Sequence, residues 1–261
     1  MKMKRNKKIW TWVIAAVVLV LVVIIGNVLY KKVLYKVFNP PFEETVVFPA
    51  EGGASLADTT FTVNGIQIKM KGIKGGKINC RGLRETVELE DFYIGETEVT
   101  QELWTSIMGK NPSVHKDSVL CPIENVDLVE CLDFIHKLDS ISGHEFYIPT
   151  YPEWAYAAYV GSKGKKTSYY DESKSWYKEN ADSTSHPVKQ KAPNALGIYD
   201  MVGNVAEWTI SGSDPMFFVM GGSYQTERKG FDMDTHELFH ANIKDGFLGL
   251  RLVCYPKGAK Q

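Results

Sequence analysis

The sequence lacks an excess of charge of either sign and most of the short motifs that mark catalytic domains. Its 261 residues carry 30 Lys and Arg against 31 Asp and Glu, so the formal net charge is −1. Such a chain offers no positive field to a phosphate backbone, and we expect no nucleic acid partner. The absence of a Gly-rich phosphate loop and of a Gly-x-Ser-x-Gly motif argues against P-loop NTPases and α/β-hydrolases.

Cysteine is also scarce. The chain has four, Cys80, Cys121, Cys131 and Cys254, and no two of them form a Cys-x-x-Cys pair. This spacing gives no support to a zinc ribbon or a thioredoxin-type motif. In an oxidising compartment a Cys121–Cys131 bridge is possible, as part of one of the three complete pairings of four cysteines. Free, buried thiols are the alternative.

Glycine and aromatic residues, by contrast, are abundant, with 22 Gly, 13 Tyr, 12 Phe and 6 Trp. Glycine permits irregular backbone, and each aromatic ring buries a large apolar area. The composition therefore predicts a loop-rich globular domain held together by aromatic packing, and it differs from that of a helical bundle.

The N-terminal residues form a separate segment. A basic tail over residues 1–8 precedes an uncharged run over 9–30, whose 22 residues would span roughly 33 Å as a helix. The run is too long for a cleaved signal peptide, so we predict a transmembrane signal anchor with a cytoplasmic N-terminus. A buried core helix is the alternative. Residues 31–59, rich in Pro and Gly, are predicted to be a linker, and 60–261 an extracytoplasmic domain, periplasmic or extracellular.

Local signals predict one hairpin and three short helices within that domain. Asn64-Gly65 stands between two alternating apolar runs, as in a tight hairpin turn. Thr100, Asp127 and Thr150 each precede an apolar stripe of helical period and can serve as N-caps.

Six blocks of sequence then follow one another in a characteristic order. The most specific is Gly203-Asn204-Val205-Ala206-Glu207-Trp208, with Gly221-Gly222-Ser223-Tyr224 and Gly249-Leu250-Arg251 after it. The six blocks occupy residues 92–100, 122–126, 148–150, 193–208, 221–224 and 249–251. Taken in this order, they resemble the formylglycine-generating enzyme (sulfatase-modifying factor) family.

The resemblance implies a single α+β domain of the C-type-lectin-like kind. Enzymes of the family hold a copper ion with two cysteines and use oxygen to convert a cysteine of a sulfatase peptide to formylglycine. The matching positions in this chain are Thr226 and Phe231. Because Cu(I) selects soft sulfur ligands, we expect no copper site here.

The resemblance also implies a calcium site. It falls on the side chains of Asp200 and Glu207 and on the backbone carbonyls of Gly203 and Val205. Calcium takes six to eight oxygen ligands, so two carboxylates and nearby carbonyls suit it. The alternative is that Asp200 and Glu207 only cap turns.

A second metal motif is His236-Glu237-Leu238-Phe239-His240, which matches the zinc-protease pattern in which two histidines one helical turn apart bind zinc. Its surroundings depart from the extended pattern, with Ile243 and Gly246 at positions where Gly and a third His are usual. Solvated loop residues without a metal are the favoured interpretation of His236 and His240.

These observations favour a membrane-anchored, extracytoplasmic domain that has lost the oxidase site and binds a protein or glycan in a bacterial envelope. The lack of any Asn-x-Ser/Thr acceptor with x other than Pro agrees with a bacterial protein. The alternative is a divergent metal-dependent enzyme, either an oxidase with other ligands or a zinc hydrolase at His236 and His240.

Overall fold

The structure is a computed structural model that describes residues 46–49, 56–80, 83, 85–161, 172–228 and 236–257. The predicted basic tail over 1–8 and the predicted anchor over 9–30 lie outside these residues. In the described part of the chain, no helix has the length and apolarity needed to cross a membrane.

The described residues form strands and three helices. The helices are α1 (Gln101–Met108), α2 (Leu128–Ser142) and α3 (Tyr151–Gly161). The strands are β1 (Val46–Pro49), β2 (Thr59–Val63), β3 (Ile66–Ile73), β4 (Gly76–Cys80), β5 (Glu85–Leu89), β6 (Phe92–Gly95), β7 (Ala206–Ser213), β8 (Met216–Met220), β9 (His236–His240), β10 (Leu248–Gly249) and β11 (Val253–Cys254).

The strands assemble into three sheets, with orders β1-β4-β5, β11-β6-β3-β2 and β10-β7-β8-β9, which we call the first, second and third sheet. Neighbouring strands are antiparallel except for β10 and β7, which run parallel. The second and third sheets each join segments from distant parts of the chain. Together with the helices, the sheets confirm the predicted mixed α+β fold.

The hairpin and the helix starts lie where the local signals place them. Asn64 and Gly65 both have positive φ, 51° and 79°, and connect β2 to β3. The Thr100 hydroxyl accepts a hydrogen bond from Leu103 N, and the Asp127 carboxylate accepts one from Glu130 N. At Thr150 the capping box is complete, because Glu153 Oε2 accepts from Thr150 N (2.7 Å) and Thr150 Oγ1 accepts from Glu153 N (3.3 Å).

The third sheet packs on a different core with each of its faces. Trp208, Val219 and Glu237 lie opposite one another across β7, β8 and β9, so they share one face. On that face Trp208 and Val219 join a core with α1, α2 and the second sheet. On the other face Met220 joins a core built around α3. The side chains of neighbouring residues in these strands therefore lie on opposite faces of the sheet.

The predicted linker over 31–59 is not wholly without structure. Val46–Pro49 form β1, which pairs antiparallel with β4 from Val46 opposite Asn79 to Pro49 opposite Gly76. Valine and phenylalanine favour strands, but only pairing with a distant segment decides whether so short a run forms one. The prolines and glycines around it had favoured the linker interpretation.

Candidate functional site

A pocket of about 270 Å³ opens on the Val219 face of the third sheet. Strands β7, β8 and β9 form its floor, and the turn after β8 forms one wall. Most of the lining is apolar or uncharged; the lining residues are Ala206, Val219, Gly222, Ser223, Gln225, Thr226, Glu237, Phe239 and Phe247. The pocket is thus built from parts of two family-like blocks, 193–208 and 221–224, together with β8, β9 and Phe247.

Thr226, which the family resemblance matches to the first copper-ligand position, lies in the wall of this pocket. Gly221 and Gly222 have φ of 88° and 63°, which turns the chain out of β8. Ser223 N then donates to Thr226 Oγ1 (3.0 Å), and Thr226 N donates to the Ser223 carbonyl (3.0 Å). The Thr226 hydroxyl therefore stabilises the turn. The second position, Phe231, lies outside the described residues.

All four cysteines are buried thiols, and the Cys121–Cys131 bridge is not formed. None of them lines the pocket. Burial raises the pKa of Cys121 and Cys131 and raises the pKa of Cys254 to about 12. Because the thiolate is the metal ligand and the nucleophile, these positions suit packing rather than catalysis.

A buried ion pair lies behind the pocket floor, on the other face of the third sheet. Arg251 Nε donates to both oxygens of Glu207 (3.0 and 2.9 Å), and Arg251 Nη2 donates to Glu207 Oε1 (2.7 Å). Trp154 Nε1 donates to Glu207 Oε2 (2.6 Å). The guanidinium also donates to the carbonyls of Gly95 and Tyr199, both at 3.0 Å. Both Glu207 oxygens and all three Arg251 nitrogens are therefore engaged.

Two further carboxylates are buried in the same region. Asp200 Oδ2 accepts a hydrogen bond from Lys189 N (2.9 Å), but Asp200 Oδ1 and both oxygens of Glu98 have no partner in the described part of the chain. Burial raises the pKa of Asp200 to about 6. Burial, with the charge of Asp200 next, raises the pKa of Glu98 well above its usual range. Three carboxylates share one guanidinium here, so the region can accept protons or a cation.

The four residues of the predicted calcium site lie around this region. Gly203 has φ of 87°, and a Cβ there would lie 2.1 Å from the Trp176 carbonyl oxygen, so only glycine fits. Val205 is buried just before β7. Asp200 has an oxygen available for a cation, whereas both oxygens of Glu207 already accept from Arg251 or Trp154. Among the described residues, no three His, Cys, Asp or Glu side chains form a metal-binding group.

The zinc-protease pattern does not adopt its helical geometry. His236–His240 form strand β9, in which residues four apart are separated by about 13 Å. Glu237 also points to the opposite face from His236, whose ring packs against Tyr151 (5.6 Å) and Phe218 (5.1 Å). The two histidines and the glutamate cannot serve one zinc ion in this arrangement. The interpretation of this segment as a loop is wrong, because it is a paired strand, although Glu237, Leu238 and His240 are exposed to solvent as expected.

Sequence reasoning assigned no role to Glu98 or Arg251, although both lie within the family-like blocks. Each is charged and almost fully buried, at 2% and 0% exposed. Charged residues are rarely buried without a partner, but burial cannot be inferred from a single sequence. The pocket residues Phe239 and Phe247 gave no signal either, because their proximity depends on how β7, β8, β9 and β10 assemble into one sheet.

Comparisons with known proteins agree with this fold. A family model described as sulfatase-modifying factor enzyme 1-like domain matches residues 54–255. Chaperone protein LppX of Paenibacillus barcinonensis is 29% identical over 178 residues, which cover 48% of this chain and 63% of the relative. Less than two thirds of that relative is therefore matched.

Two solved structures are similar over nearly their whole length. Treponema denticola variable protein 1 is 27% identical, with a TM-score of 0.70, over 77% of this chain and 100% of that protein. PvdO from Pseudomonas aeruginosa is 16% identical, with a TM-score of 0.65, over 78% of this chain and 100% of that protein. The second likeness concerns the fold alone.

Proposed function

Because the chain belongs to the family of sulfatase-modifying factor enzyme 1-like domains, we propose that it uses this fold to bind a partner and does not make formylglycine through copper. The observation that carries the proposal is the pocket wall at Thr226. A hydroxyl that closes a turn stands where the family-like pattern requires a copper-binding thiolate.

The residues around this position do not fit a copper ion. The pocket lining contains hydroxyls, one amide and one carboxylate, and no sulfur ligand. Cu(I) selects thiolate and thioether ligands, so this set of oxygen donors is the wrong kind. The four cysteines of the chain are buried, and none lies among the residues that line the pocket.

The test is oxidation of a peptide that bears Cys-x-Pro-x-Arg by the full chain, purified in detergent and loaded with copper under oxygen. We expect the peptide mass to remain unchanged. Turnover that persists in a variant with all four cysteines changed to serine would reveal another active site, which is the divergent-oxidase alternative. Turnover that is lost in that variant would show that the assignment of the ligand positions is wrong.

Similarity to a protein named as a chaperone supports a polypeptide partner. Chaperone protein LppX is the relative concerned, and its name refers to that protein. The pocket lining supports the same choice over a glycan. Sugar hydroxyls need several converging hydrogen-bond groups, whereas Ala206, Val219, Phe239 and Phe247 make much of this lining apolar.

We also propose that residues 9–30 anchor the chain in a membrane, with the domain outside the cytoplasm. The support is the uncharged run and the excess of basic residues before it. A protease added to intact spheroplasts should digest the domain. Digestion only after lysis would place the domain inside the cell.

Calcium is the cofactor that we propose for this chain, held near Asp200 with the carbonyls of Gly203 and Val205. Asp200 Oδ1 and both oxygens of Glu98 have no partner among the described residues, which supports a cation in this region. Glu207 would not bind the ion itself; it would hold the Arg251 guanidinium in place. Bound calcium would neutralise the excess of buried negative charge and so stabilise the fold.

A further inference from the structure

The pocket is suited to one class of partner side chain, an inference that rests on the proposed binding function. At about 270 Å³, the pocket is slightly smaller than the range of about 300–1,000 Å³ in which drug-sized ligands bind. One side chain of a partner is therefore a better fit in size than a whole ligand.

The chemistry of the floor favours a side chain with a long aliphatic stem. Val219 and Phe239 project from neighbouring strands, and Phe247 also lines the pocket, with its ring centroid 6.1 Å from that of Phe239. Such a surface removes methylene groups from water. The two rings also present π faces on which a cation can lie.

The charge in the pocket indicates what the end of that side chain carries. Glu237 is the only charged residue among the described lining residues. It lies beside Val219 across β8 and β9, is exposed, and forms no ion pair or hydrogen bond in the described part of the chain. No lysine, arginine or histidine of the described lining can neutralise it.

The opposite wall adds a second acceptor. Gln225 uses its amide nitrogen to donate to Tyr224 Oη (3.1 Å), which leaves the amide oxygen as an acceptor. The hydroxyls of Ser223 and Thr226 already accept from backbone N–H groups of the turn. The pocket therefore presents an apolar floor, two rings, one carboxylate without a partner among the described residues and one amide oxygen.

We propose that this pocket binds the cationic side chain of a lysine or arginine from a partner polypeptide. The aliphatic stem lies on Val219 between the rings of Phe239 and Phe247, and the charged end meets Glu237. Lysine and arginine are the side chains that combine a long apolar stem with a charged tip. This assignment gives a role to Glu237, which the zinc-protease pattern had marked for a different chemistry.

The probes are peptides of the form acetyl-Ala-Ala-X-Ala-Ala-amide, with X as lysine, arginine, norleucine or citrulline. Norleucine keeps an aliphatic stem without the ammonium, and citrulline is the neutral counterpart of arginine. Binding to the full chain in neutral detergent, without copper, is measured by saturation-transfer NMR on the side-chain methylene signals. We expect the neutral peptides to bind about five- to tenfold more weakly than their cationic counterparts.

Three variants locate the effect. Glu237→Gln should abolish the preference for the cationic peptides, and Phe239→Leu should reduce it while leaving norleucine binding unchanged. Glu85→Gln is the matched control, because Glu85 is also an exposed glutamate on a strand but lies on β5, outside the pocket. An unchanged melting temperature of Glu237→Gln shows that its effect is local.

Equal binding of citrulline and arginine would overturn the inference, as would a cation preference that survives Glu237→Gln or falls equally in Glu85→Gln. These results are independent of the oxidation test of the proposed function. If the cation preference is found and the peptide is also oxidised, the proposed function is refuted and the pocket assignment stands. If neither is found, only the pocket assignment is refuted.

Discussion

Removal of the Arg251 guanidinium should destabilise the fold strongly, because it leaves Glu207 as an uncompensated buried charge. Arg251 and Glu207 are both 0% exposed. In Arg251→Met, Glu207 keeps only the hydrogen bond from Trp154 Nε1, and the carbonyls of Gly95 and Tyr199 each lose a donor. Breaking one partner out of a buried pair costs about 3–5 kcal/mol.

The free energy of unfolding is measured by urea denaturation, followed by circular dichroism. For a folded unit over residues 44–261, a loss of this size corresponds to about 6–20 °C in melting temperature. Lys244→Met is the control, because Lys244 is exposed and pairs at the surface with Glu130 (2.7 Å). It should cost less than about 1 kcal/mol.

The double variant Arg251→Met/Glu207→Leu isolates the pair. If the cost arises from an orphaned charge, the double variant should lose less stability than the sum of the two single variants. The reasoning is refuted if Arg251→Met costs no more than Lys244→Met, or if the single effects simply add.

Four other outcomes are expected. Removal of calcium by a chelator should lower the melting temperature, and Asp200→Ala should abolish that effect; a curve indifferent to chelator and to added calcium would contradict the site. In chelator, burial raises the pKa of Asp200 to about 6, so the folded state favours the protonated carboxyl. The free energy of unfolding should therefore fall as pH rises from about 4 to about 6. Asp200→Asn should flatten this dependence. Gly249→Ala should reduce the free energy of unfolding by more than about 3 kcal/mol in urea denaturation, because the new Cβ would lie 2.4 Å from the Ile123 carbonyl oxygen. The control Gly65→Ala adds only the strain of its positive φ, about 1 kcal/mol. Equal costs of the two variants would contradict this packing. Iodoacetamide at pH 8 should leave the native cysteines unmodified and label all four after denaturation, as counted by mass spectrometry; rapid labelling of native Cys254 would contradict its burial.

The parts of the fold that sequence reasoning predicted correctly depend on neighbours in the chain. The hairpin at Asn64-Gly65 requires two positive φ values, and the caps at Thr100, Asp127 and Thr150 require only a hydrogen bond within one helical turn. These interactions have the same geometry wherever the surrounding chain lies. Local residue type was therefore sufficient to predict them.

The parts that it did not predict depend on contacts between distant segments. Strand β1 exists through its pairing with β4, and β9 exists through its pairing with β8, although His236–His240 matches a helical motif. The buried region around Arg251 likewise joins residues from β6, β7 and the segment after β10. Spacing along the chain carried no information about which of these segments meet.

The late position of Arg251 in the sequence also affects when the fold can form during synthesis. Its Nη1 donates to the Gly95 carbonyl across 156 positions of sequence, and β11 near the C-terminus pairs with β6. The second sheet therefore cannot be completed until the segment through Cys254 has left the ribosome. At about 5–20 residues per second, the chain remains incompletely folded for roughly 8–30 seconds after Gly95 is made. During that interval the chain is exposed to chaperones and proteases.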